Sequence, residues 1–226
     1  MSVGDEHPVS GTPAAATPAA DGTPARRDSH GLWARRLAER WELLGSSFSG
    51  FAMRFKAWYW GVRFGRHCRF FGTALLGRKE NSTITVGNGC IFRSGVKSNR
   101  IGLNRPCSLS TLAPGATLKI GNDCGFSGTV IAAAESITLG DRVMCGGNTT
   151  ISDTDWHRLH PSERREPGAT APVVLEDDVF VGLGSVVLKG VTIGRGTFVA
   201  AGSVVTRSLP PMVLAAGVPA KVIREL

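Results

Sequence analysis

The sequence predicts an all-β chain wound into a three-sided parallel β-helix. Three observations carry that prediction: a six-residue beat of aliphatics, small residues just after it, and few helix formers beyond about Val62. Leu175, Val181, Val187, Ile193, Val199 and Val205 follow one another at intervals of six without a miss. Four residues after each beat stands Val179, Ser185, Val191, Thr197, Ser203 or Leu209, mostly small or β-branched, and Gly182, Gly194 and Ala200 fill several of the positions directly after it. A period of six matches neither the 3.6 of a helix nor the 2 of a flat strand, so the chain must turn a corner every six residues. Three such sides close a coil, with the beat residue pointing inward and a small residue permitting the corner. Successive coils then stack as parallel strands about 4.8 Å apart, burying a column of aliphatics that no coil buries alone.

Taken in chain order, residues 1–30 are rich in Pro, Ala, Thr and Gly and contain no apolar core of a signal peptide, so they read as a disordered tail. Residues 31–65 form an amphipathic helical segment, because Trp33, Leu37, Trp41, Leu44, Phe48, Phe51, Phe55, Trp58 and Val62 fall in steps of three or four on one stripe. Gly45 and Gly50 sit inside that pattern and predict a break. The plainer use of the stripe is packing on the main domain; the other is contact of its aromatics and arginines with an anionic membrane surface. No recognition motif accompanies the charge, so nucleic acid is not an expected partner.

The β-helix is expected over 66–209, interrupted by a loop at 152–172 and closed by a cap at 210–226. The beat extends backwards through Ile151, Cys145 and Leu139, whereas Ile120, Phe126 and Ala132 keep the spacing one residue out of phase, so the early coils are expected to be irregular. The loop, SDTDWHRLHPSERREPGATAP, is too polar and proline-rich to continue a prism and must project outward.

Composition narrows the function. The net charge of +8 belongs mostly to the N-terminal third, where Arg54, Lys56, Arg63, Arg66 and Arg69 have few acidic neighbours. No stretch approaches the roughly 20 uninterrupted apolar residues of a membrane span, which points to a cytoplasmic protein with at most peripheral contact at the inner membrane face. The five cysteines are odd in number and lack C-x-x-C spacing, arguing for reduced buried thiols. A zinc hydratase on this architecture needs three histidines at metal distance; only His67, His157 and His160 lie near the folded region, without suitable spacing. No metal is expected.

The run VVLEDDVFVGLGSVVLKGVTIGRGTFVAAGSVVTRSLPPMVLAAGVPAKVIREL closely resembles the C-terminal half of the left-handed β-helix, hexapeptide-repeat acetyltransferases, in particular the galactoside and maltose acetyltransferase group. GVPAKVIR is its most distinctive piece. The resemblance implies a left-handed coil, acetyl-CoA as acyl donor, and a homotrimer whose cofactor lies between neighbouring prisms. It places the CoA contacts on Ala201, Thr206, Arg207, Lys221 and Arg224, and cations suit the 3′-phosphate and pyrophosphate of CoA. It places the catalytic histidine of the projecting loop at His157, a fitting general base because imidazole titrates near neutral pH. His160 is its competitor, read as a turn residue before Pro161, and Asp153 or Asp155 are candidates for orienting the ring.

Two departures stand out: Phe180 replaces a tryptophan usual near the cofactor, and the coil around Phe126 lacks the polar residue that galactoside acetyltransferases use against the sugar. The expected activity is O-acetylation of a sugar, polysaccharide or lipid-linked saccharide. A xenobiotic O-acetyltransferase and a non-catalytic β-helix scaffold are the alternatives. The basic aromatic segment favours glycan acceptors, and the histidine loop disfavours a scaffold.

Overall fold

A computed structural model of the chain describes residues 46–226. The expected tail, the first part of the helical segment and Gly45 lie outside the described residues. Residues 46–60 are helical, and from Arg63 onward the chain winds into a left-handed β-helix with three flat faces. The first face stacks Arg63–Phe64, Thr83–Val86, Thr117–Ile120, Ser136–Leu139, Val173–Leu175 and Thr192–Ile193. The second runs from Arg69–Phe71 through Ile91–Arg93, Gly125–Ser127, Met144–Cys145 and Phe180–Val181 to Phe198–Val199. The third runs from Leu75–Gly77 to Val204–Val205 by way of Ser108–Thr111, Val130–Ala133, Thr150–Ser152 and Val186–Val187. Every pairing within these runs is parallel, as coils of one hand require.

The six beat residues are all fully buried, as are Val179, Ser185, Val191 and Thr197 four positions on. Positive φ recurs every six residues at Asp178, Gly184, Gly190, Gly196 and Gly202, which is where the corners turn. The residues directly after the beat are small for a different reason. A Cβ on Gly182 would stand 2.4 Å from the backbone nitrogen of Ala201 in the next coil, so stacking itself forbids a side chain there.

The early coils are irregular, as expected. Val86 pairs with Ile120 and Ile120 with Leu139, steps of 34 and 19 residues. Their cross-section is filled by aromatics on the second face, where Phe70, Phe92 and Phe126 stack with centroids 5.3 and 5.1 Å apart. Cys145, Val181 and Val199 occupy the same inward file in the later, tighter coils.

One corner shows how coils hold each other. Asn88, Asn122, Asp141 and Asp177 each accept, through Oδ1, the backbone N–H one coil earlier, from Arg66, Asn88, Asn122 and Asp141 at 2.7–2.9 Å. Beside them Cys68, Cys90 and Cys124 donate to the carbonyls of Gly87, Gly121 and Gly140, each at 3.2 Å. All five thiols are free, and the adjoining Cys124 thiol together with burial pushes Cys90 up to about 12, so the Cys90 sulfur stays a protonated structural donor. Asn122→Ala is expected to remove about 0.5–1.5 kcal/mol of stability by taking the acceptor from the exposed Asn88 amide, measurable as a lowered thermal midpoint.

Both ends are covered. At the start, Met53 and Ala57 join the core with Val62, Phe70 and Ala74, and Ser49 Oγ accepts the Gly72 N–H at 3.2 Å. At the finish, Val213–Gly217 adds to the second face and Ala220–Glu225 folds back antiparallel on it. The helix corrects two sequence expectations. It continues through Gly50 without a break, and the aromatic stripe does not pack on the column: Phe48, Phe51, Phe55 and Trp58 are exposed, and only Val62 of the described stripe is buried. Met53 and Ala57, on the opposite helical face, do the packing instead. Sequence pattern sees a stripe but not which side of it the coil offers a seat.

Candidate active site

The projecting loop leaves the third face after Ser152 and rejoins the first face at Val173. It is an ordered arm rather than an irregular loop: Thr154 bridges Thr170 and His157 bridges Pro167 in antiparallel fashion, and a single 3-10 turn, Pro161–Glu163, forms its tip. Its base is fixed by Asp153, which is fully buried and accepts backbone N–H bonds from Ala134, Glu135 and Ser136 at 2.6–2.8 Å. With its carboxylate so occupied, Asp153 is an anchor of the arm and not the partner of the His157 ring. Asp155 pairs with Lys189 of the next coil at 3.2 Å, both partly exposed, a tether worth under about 1 kcal/mol. Thr170 Oγ1 ties the returning strand to Glu135 at 2.7 Å.

Between these ties the chain bends sharply. The His157 N–H donates to the Asp155 carbonyl at 2.7 Å across Trp156, whose φ of 65° is uncommon for a bulky residue. Strain of this kind persists where the surroundings dictate it, and it concentrates at functional sites. Opposite the bend Gly168 has no side chain because a Cβ there would meet the His157 backbone at 2.9 Å. The His157 side chain is exposed, has no hydrogen-bond partner among the described residues, and borders an open hollow of about 490 Å³ with Asp155, Leu159, His160 and Pro167. His160 instead places Nδ1 2.7 Å from Ser162 Oγ, in keeping with a turn residue.

The residues expected to hold CoA divide among three places. Thr206 and Arg207 follow Val204–Val205 at the same corner from which the arm emerges, two coils further on, and both are exposed. Ala201 is exposed at the corner on the other side of the third face. Lys221 and Arg224 lie on Ala220–Glu225, the outer edge of the second face, facing solvent. A single chain therefore gathers His157, Thr206 and Arg207 on one corner and holds Lys221 and Arg224 apart on another face. Phe180 is stacked on Phe198 at 4.5 Å on the outside of the second face, beside Met144.

The sequence reading missed a second projection, residues 94–107, at the corner where Ala201 later lies. Arg105 clamps it, donating to the carbonyls of Gly128, Asn148 and Thr149, and Asn148 accepts the Asn104 N–H, which gives that asparagine a structural task. The signal was present in the break of the beat by SGVKSNRIGLNRPC, dense in turn residues. Among the described residues no group of three His, Cys, Asp or Glu side chains is arranged to hold a metal.

Comparison with known proteins agrees with this architecture. Residues 172–207 match the family model of the hexapeptide repeat of succinyl-transferase. That segment carries the hexapeptide repeat, and the chain winds it as a left-handed β-helix. The chain is 38% identical over 91 residues to galactoside O-acetyltransferase of Escherichia coli K12, a match covering 40% of this chain and 45% of that one. It is 48% identical over 60 residues to 2,3,4,5-tetrahydropyridine-2,6-dicarboxylate N-acetyltransferase of Staphylococcus aureus, covering 26% and 25%. The chain thus spans under half the length of these curated relatives. Among solved structures, AntD, an N-acyltransferase from Bacillus cereus, shares the fold with a TM-score of 0.58 at 18% identity, over 76% of this chain and 87% of that one. A hexapeptide-repeat-containing acetyltransferase of Vibrio cholerae superposes with a TM-score of 0.52 at 22% identity, over 88% and 94%.

Proposed function

We propose that this protein transfers an acetyl group from acetyl-CoA to a hydroxyl of a sugar, polysaccharide or lipid-linked saccharide, with His157 as general base. The observation that carries the reading is the ring of His157, unpaired within the described chain, presented on a doubly tethered arm at the corner that also bears Thr206 and Arg207. The similarity to galactoside O-acetyltransferase supports both the donor and the acceptor class.

In the reaction, the imidazole takes the acceptor hydroxyl proton as the oxygen attacks the thioester carbonyl. The tetrahedral oxyanion collapses, the C–S bond breaks, and the imidazolium returns its proton to the CoA thiolate. The thioester is already activated, so no acyl-enzyme is required. Thr206 and Arg207 grip CoA from the arm's corner, and Ala201 leaves the backbone open to the pantetheine amides. Lys221 and Arg224, on another face, meet a phosphate if a neighbouring column supplies the second wall of the site. The apolar strip of exposed Met144 and Phe198 with half-buried Phe180 between them supports such packing, hence a homotrimer. Acetyl-CoA as donor implies a cytoplasmic setting.

The test is a thiol-release assay with acetyl-CoA against a panel of sugars, nucleotide-sugars and polysaccharides. Acceptor-dependent release is expected; tight CoA binding with no release to any acceptor would favour the scaffold reading. Arg207→Ala is expected to weaken CoA binding roughly tenfold by calorimetry, the scale of one lost charge-assisted contact.

A further inference from the structure

The face of the helix turned away from the column is the least explained surface of the molecule. Phe48, Phe51, Phe55 and Trp58 are 61–79% exposed and lie together along it, with Tyr59 beside them. They are held there rigidly, because Met53 and Ala57 are sunk in the core and Lys56 Nζ donates to the Ala74 carbonyl at 3.1 Å. A free surface helix would roll such side chains inward; this one has spent its other face on the column.

Charge accompanies the aromatics. Residues 46–72 carry Arg54, Lys56, Arg63, Arg66 and Arg69 and no Asp or Glu. Among the ion pairs of the described residues none involves these five cations. Arg54, Arg63 and Arg66 line a hollow of about 430 Å³ with Trp58 and Phe64, a wall of cations beside an aromatic edge.

We propose that this end of the column docks on an anionic phospholipid bilayer, the aromatic side chains entering the interface and the arginine hollow taking lipid phosphates. Aromatics next to uncompensated arginines match the two layers a bilayer presents, acyl chains and phosphates. No helix of the described residues is long and apolar enough to cross a membrane, so the contact is one of lying on the surface. A second copy of this chain is a poorer occupant, because an isologous pairing would set one arginine cluster against its twin.

The experiment is vesicle co-sedimentation of the full chain with phosphatidylcholine alone and with a phosphatidylcholine–phosphatidylglycerol mixture. Strong preference for the anionic vesicles is expected, falling as salt rises. The triple variant R54E/R63E/R66E should lose roughly 100-fold in partitioning, at about fivefold for each cation removed. F51S/F55S/W58S should also release the protein while keeping the circular dichroism of the parent, since all three side chains are exposed. Equal binding to both vesicle types, or none to either, overturns the proposal. So does an aromatic triple variant that changes the sedimenting mass but not vesicle binding, which would assign the face to a second copy. The salt titration of the unmodified chain decides the matter even if a variant fails to fold.

Discussion

Replacing His157 with alanine lowers acetyl-CoA-dependent turnover at least about 100-fold, the usual span for a general base, while CoA affinity and thermal stability stay close to those of the parent. The separation of effects follows from the geometry. The ring is exposed and makes no hydrogen bond within the described chain, so its removal costs the fold nothing it was using. The backbone of residue 157 remains tied to Asp155 and Pro167 and keeps the arm in place. His160→Ala, three residues away, is expected to leave turnover within a few-fold, because its imidazole is engaged with Ser162 at the tip. Near-parental turnover in the His157 variant, or loss in both, would remove the assignment. Acceptor-independent thioester hydrolysis, followed in the same assay, separates a missing base from a missing acceptor site.

Asp153→Ala is expected to act through the arm. The carboxylate is fully buried and satisfies three consecutive backbone amides of the preceding coil, bonds that are charge-assisted and hard to replace with water. Removing it strands those donors and costs about 3 kcal/mol or more, a fall in thermal midpoint of roughly 6–12 °C for a chain of this size. Turnover should fall at least tenfold with little change in CoA affinity, because Arg207 sits on the column rather than the arm. Proteolysis should move to residues 153–172. An Asp153→Ala protein with unaltered melting and an uncut arm would show that the base of the arm is held some other way.

The column was legible in the sequence because its physics is periodic. A buried position every six residues and a left-handed corner every six leave marks that survive without any knowledge of contacts, and each beat from Leu139 to Val205 is buried. The mark even crosses the arm, since Leu139 pairs with Leu175 at a step of 36 where Leu175 pairs with Ile193 at 18, so the insertion preserves the phase of six. The early coils were less legible because their filling is aromatic and their corners carry insertions, residues 94–107 above all.

Within the site, the projection of the arm could be read from its polarity, but the division of labour between Asp153 and Asp155 could not. Both stand in the same SDTD run, and only burial distinguishes an anchor from a tether. The orientation of the helix was misjudged for a similar reason. A row of large aromatics ordinarily marks the buried side, and here the smaller Met53 and Ala57 fill the narrow seat over the first coil.

The two end pieces have a consequence for assembly. Parallel coils present open hydrogen-bonding groups at each terminus, so an unplugged column is a template on which another column can grow, the geometry shared by amyloid. The helix over Phe70 and Ala74 blocks growth at one terminus, and the reversed strand Ala220–Glu225 ends it at the other by opposing the direction of the sheet. The column is in effect a short fibre, stopped by the helix at one tip and, on its second face, by the reversed strand at the other.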